Sequence, residues 1–76
     1  MKDLLAVIAK ALVDDPDSVS VKQIDGEQSI ILELSVADSD MGKVIGRQGR
    51  IAKSIRTVMK AAANRENKHV AVEIVQ

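Results

Sequence analysis

The separation of two alternating segments limits what this chain can fold into more than any other feature. SIILELSV (29–36) and HVAVEIV (69–75) both alternate apolar with polar residues, the pattern of half-buried strands. About 30 residues of helical character lie between them, enough for a crossover to a parallel neighbour, where a hairpin would permit only antiparallel pairing. A third alternating segment comes earlier, with Val19, Val21 and Gln23 set against Ser18, Ser20 and Lys22. Asp25-Gly26 separates it from the next strand and predicts a tight hairpin, since both residues accept positive φ.

Helical periodicity fills the rest. Over residues 3–13, Leu4, Leu5, Val7, Ile8, Ala11 and Leu12 recur at three and four, one apolar stripe. Asp14, Asp15 and Pro16 stop that helix, because proline cannot continue it. Asp38 or Ser39 is placed to cap a short helix that starts near Asp40 and ends at Gly46. A longer helix starts around Gly49 and runs to Ala63 or Asn64. Turning it 100° per residue gathers Ile51, Ile55, Val58, Met59 and Ala62 on one side, with Arg50, Lys53, Arg56 and Lys60 nearly opposite. Asn64 to Asn67 break the pattern before the last strand, in which Val70, Val72 and Ile74 share a face. The order α-β-β-α-α-β predicts an α+β fold, a three-stranded mixed sheet with three helices packed on one face.

Composition narrows the chemistry. The 76 residues predict one domain, 1–76, without internal repeat or linker. There is no cysteine, no aromatic residue and one histidine, so the core is aliphatic and neither disulfide nor thiolate metal site is available. Small domains of this kind usually need reinforcement, which points to self-association or a partner. His69 stands at a strand start with no acid paired to it, so it reads as a strand-edge residue rather than a general base. Met41 and Met59 read as core. Acid-rich residues 14–40 lack the spacing of a calcium loop, and no cofactor or metal is expected. Catalysis is not expected either. The N-terminal MKDLLAVIAKALVDD is interrupted by Asp3 and Lys10 and has no cleavage-site pattern, so it is not read as a signal peptide. No apolar run approaches the roughly 20 residues of a membrane span. A cytoplasmic location is expected.

Formal charge sums to zero, but its distribution is lopsided. Residues 14–40 carry eight acids and one base, Lys22; residues 41–65 carry seven bases and no acid. Such asymmetry is compatible with an anionic partner at the basic end, or with a solvated basic face that pairs with the acidic segment.

The basic half holds Val44-Ile45-Gly46-Arg47-Gln48-Gly49-Arg50. Glycines three apart, between two helices, let a sugar–phosphate backbone approach the main chain. Amides at the start of the second helix, at Gly49 and Arg50, carry the positive end of its dipole, where an anion is favoured. Arg47 and Arg50 add charge, and Gln48 adds hydrogen-bonding groups. Neither G-x-G-x-x-G nor G-K-[ST] is present, so dinucleotide and P-loop chemistry are not supported.

These residues, with Ile51 and Ile55 after them, resemble the signature of a KH domain, whose GXXG loop between two helices clamps about four nucleotides of backbone. The extra helix and strand ahead of that core are similar to the type II arrangement. DMGKVIGRQGRIAKSIRTVMKAAA (40–63) resembles the small bacterial single-KH proteins of the KhpA family. The resemblance implies an RNA-binding protein that holds single-stranded RNA through Lys43, Ile45, Gly46, Arg47, Gln48, Gly49, Arg50 and Lys53. It further implies a homodimer, or a heterodimer with a larger Jag-type (KhpB or EloR) KH protein, in post-transcriptional regulation and RNA chaperoning. Without aromatic rings, bases would rest on aliphatic side chains. Ile45, Ile51 and the outward Ile31 are candidates, with a core position as the alternative for all three; for Ile51 and Ile55, whose spacing continues the apolar stripe of the helix, core is the better reading. A second reading is a protein-interaction module that controls a partner in cell-envelope or division control, with RNA binding secondary.

Overall fold

A computed structural model describes residues 1–75. The chain forms α1 (Lys2–Leu12), β1 (Ser20–Asp25), β2 (Ser29–Ser35), α2 (Met41–Ile45), α3 (Arg50–Asn64) and β3 (His69–Val75). Single 3-10 turns, Pro16–Ser18, Asp38–Asp40 and Arg47–Gly49, lead into β1, α2 and α3. The predicted order and element types hold.

The sheet order is β1-β2-β3, with β2 antiparallel to β1 and parallel to β3. Ile30, Leu32 and Leu34 of β2 face the helices, and in register with them are Val70, Val72 and Ile74 of β3. Leu5 and Ala9 of α1, Val44 of α2, and Ile55 and Met59 of α3 complete one buried cluster with that sheet face. Met59 is fully buried and Met41 packs against the cluster, as the sequence predicts. Among the described residues no helix is long and apolar enough to cross a membrane.

Three local details differ from expectation. Strand pairing continues one residue further than the hairpin reading allowed, to Asp25 opposite Ile30. The turn therefore spans Gly26 to Ser29, closed by the Gly26 amide donating to the Ser29 carbonyl at 2.7 Å. Gly26 is not in the left-handed region, and a Cβ there would meet the Ser29 hydroxyl at 2.6 Å, a contact that rotation of the serine side chain would relieve. Secondly, neither Asp38 nor Ser39 caps α2, which has no side-chain cap at all. Thirdly, Ile31 lies on the sheet face away from the helices, between Ile24 and Ala71. Strand alternation puts it opposite Ile30 and Leu32, so it does not share a surface with the loop between α2 and α3.

Candidate nucleic-acid interface

Gly46 to Gly49 join α2 to α3, and the backbone there is unusual at three of four positions. Gly46 (φ 77°), Gln48 (φ 59°) and Gly49 (φ 73°) all have positive φ. Left-handed backbone is costly for L-residues other than glycine, by roughly 1–2 kcal/mol. Gln48 therefore sits in a strained conformation at the tip of the loop.

The glycines are needed for different reasons. At Gly46 a Cβ would meet Ile51 side-chain atoms at 2.6 to 2.9 Å. This glycine lets Ile51 pack beneath the loop as well as providing its φ. At Gly49 a Cβ would meet nothing within 4 Å. Its exterior is open, the condition for an incoming backbone to approach closely.

The amides differ from the sequence-based assignment. The Gly49 amide donates to the Gly46 carbonyl at 3.2 Å, and the Arg50 amide donates to the Arg47 carbonyl. Both are consumed by the 3-10 turn, so neither is free for an anion. The Arg47 and Gln48 amides instead donate to no backbone or side-chain acceptor among the described residues. Sequence alone could not separate these pairs, because the distinction depends on a 3-10 turn preceding α3.

The side chains group around the same point. Arg47, Gln48, Arg50 and Lys53 are exposed, and Ile45 is just exposed at 36%. The Arg50 guanidinium lies 3.5 Å from Gln48 Oε1, a long contact. Lys43 is differently placed. Its ammonium binds the Asp14 carboxylate and lies 3.1 Å from Asp40 Oδ1. It is the one base of residues 41–65 with an acid in ion-pair range among the described residues. Arg47, Arg50, Lys53, Arg56, Lys60 and Arg65 have no acid in ion-pair range among the described residues, and there the acid-rich segment meets the basic half at Lys43 alone.

Sequence reasoning missed two residues. Arg56 Nε donates to the Val72 carbonyl at 3.1 Å, tying the basic flank of α3 to β3. Asp40 is 1% exposed although charged. Its Oδ2 accepts the Asp15 amide at 3.0 Å and its Oδ1 the Asp14 amide at 3.3 Å. Its spacing of three from Lys43 was the one available signal. Burial alone would raise the Asp40 carboxyl. The Asp15 amide, the Lys43 ammonium and the Asp14 amide together outweigh burial and hold it below the ordinary carboxylate value. The Asp14 carboxylate, then that of Asp40, raise Lys43 above the ordinary lysine value.

On the opposite flank of α3, Ile8 and Leu12 of α1 and Ile51, Ile55 and Val58 of α3 line an open apolar groove of about 410 Å³, with Arg50 and Ser54 at its rim. The core reading of Ile55 holds, at 4% exposure, while Ile51 is half-buried under the loop.

The profile described as KhpA/KhpB, KH domain, matches residues 2–74. The RNA-binding protein KhpA of Clostridium acetobutylicum is 71% identical over 75 residues, covering 99% of this chain and 100% of that protein. The RNA-binding protein KhpA of Clostridium perfringens is 65% identical over the same shares. Among solved structures, Era in complex with MgGDPNP and nucleotides 1506–1542 of 16S ribosomal RNA superposes with a TM-score of 0.58. The match covers 96% of this chain and 28% of that one at 19% identity, a likeness of fold.

Two outcomes follow from the loop and from Asp40. Gly49→Ala should cost about 1–2 kcal/mol in urea unfolding, from its φ alone. Gly46→Ala should cost more, because Ile51 must also move. For Asp40, the lowered folded-state value means that ionisation stabilises the fold above about pH 4, the ordinary unfolded value, and that this contribution is lost as pH falls through the folded value. The melting-temperature gap between parent and Asp40→Asn should be constant from about pH 5 to 8 and close in more acid solution.

Proposed function

We propose that this chain, which belongs to the KhpA/KhpB family of KH domains, binds single-stranded RNA by clamping its phosphate backbone at Gly46–Gly49. One observation carries the reading. Among the described residues the loop offers two amides without a partner, at Arg47 and Gln48, beside exposed Arg47, Arg50 and Lys53, none of which has an acid in ion-pair range. Donors and positive charge without internal partners suit an anion that arrives from solvent. Gly49 leaves the approach open. Ile45 supplies an aliphatic surface for a base next to the phosphates. The naming of the clostridial relatives as RNA-binding proteins supports the same reading.

In this account the protein is a binding module in the cytoplasm and not an enzyme, and residues 1–76 act as one KH unit. A module that grips about four nucleotides binds weakly alone, so two copies on one strand would gain by avidity. The groove between α1 and α3 supports a second component of the proposal, that this flank joins two copies or joins the chain to a larger Jag-type KH protein. Post-transcriptional regulation, with RNA chaperoning, is the role such a dimer would serve. Control of a partner protein, with RNA secondary, is the alternative use of the same groove.

Fluorescence anisotropy with labelled single-stranded RNA tests the clamp, with light scattering to give the oligomeric state. Parent binding should weaken with salt, at about 0.7 in log–log slope per phosphate engaged. The double variant Arg47→Asp/Gln48→Asp should stay folded, keep its oligomeric state and lose binding. Equal binding by parent and variant would overturn the mechanism. Absence of binding by folded parent would favour the protein-partner reading.

A further inference from the structure

We propose that Asp40 is a positioning residue for RNA binding: its buried carboxylate fixes α2, and with it the Gly46–Gly49 loop, against the end of α1, while Lys43 serves as its counter-charge and not as a phosphate ligand. The inference rests on the loop being the RNA site.

α2 has five residues and one fully buried side chain, Val44. A helix so short has little stability of its own and takes its direction from what grips its ends. The grip at its start is Asp40. Both carboxylate oxygens are used, on the amides of Asp14 and Asp15 just after α1 and on the Lys43 ammonium within α2. Burying a carboxylate is expensive unless it is paired and hydrogen-bonded. What the arrangement supplies is direction, since three donors from two segments define one orientation.

The loop lies six residues beyond Asp40. At 1.5 Å per residue that is a lever arm of about 9 Å. A tilt of about 10° at Asp40 moves Gly46 by about 1.6 Å, enough to take an amide–phosphate contact from about 2.9 Å out of hydrogen-bond range. Lys43 stands next to the loop, yet two carboxylates surround its one charge. The local sum is negative, which disfavours a phosphate there.

The experiment compares parent, Arg47→Asp/Gln48→Asp, Asp40→Asn and Lys43→Gln by anisotropy with a fluorescein-labelled eight-nucleotide oligouridine across a salt series. Amide spectra of the free proteins accompany it. Parent binding that the double variant loses establishes the loop as the site; without that, the RNA reading itself has failed. With the loop established, Asp40→Asn should weaken affinity by about fivefold or more at unchanged salt slope, and should shift the Gly46, Gln48 and Gly49 amide resonances without RNA. Parent affinity and unshifted loop resonances in folded Asp40→Asn would overturn the proposal. Lys43→Gln decides the point even if Asp40→Asn fails to fold. An unchanged slope supports a counter-charge, and a slope reduced by about 0.7 makes Lys43 a phosphate ligand and overturns it.

Discussion

Because β2 and β3 run parallel, the chain must return along the full length of the sheet between them, and it does so in two helices hinged over four residues. Most of the surface proposed to bind RNA follows from that connection. The four-residue passage from α2 to α3 uses left-handed backbone at Gly46, Gln48 and Gly49. Backbone so arranged carries only the 3-10 bonds from Gly49 to Gly46 and from Arg50 to Arg47 through the turn. The Arg47 and Gln48 amides are the donors left over, and they lie at the most exposed point of the connection. The fold thus leaves amide donors over as a by-product of a topological need, and the sequence places arginines around them, which is the arrangement the proposed RNA clamp uses.

The two flanks of α3 divide the remaining work. One carries bases beside β3, with Arg56 fastened to the Val72 carbonyl. The other carries Ile51, Ile55 and Val58 toward Ile8 and Leu12 of α1. A zero net charge conceals this division, since among the described residues the acids pair with Lys43 and with no other base of the basic half. Charge counted along a chain therefore says little about fields at its surface.

Elements and topology were legible because alternation and helical periodicity report directly on burial. Ile30, Leu32 and Leu34 had to share a face, and about 30 helical residues had to be a crossover. The loop's position was legible from its glycines. Its donors were not: which amides stay free depends on a 3-10 turn that spacing does not reveal. Asp25-Gly26 looked like the centre of a hairpin, but pairing absorbed Asp25 into β1. Asp40 was read as a helix start. Its burial depends on Asp14 and Asp15, 26 and 25 residues away in the chain, which no local pattern encodes. The same contact removed Lys43 from the free cations around the loop.

The most direct test of the account is a titration of ¹⁵N-labelled protein with short single-stranded RNA, followed by amide chemical shifts. The account predicts that the largest changes fall on Ile45 to Lys53, with the Arg47 and Gln48 amides moving downfield as they gain acceptors, and little change on the outer sheet face around Ile24, Ile31 and Ala71. Changes centred on that outer face, or on the α1–α3 groove with Arg47 and Gln48 unmoved, would contradict it.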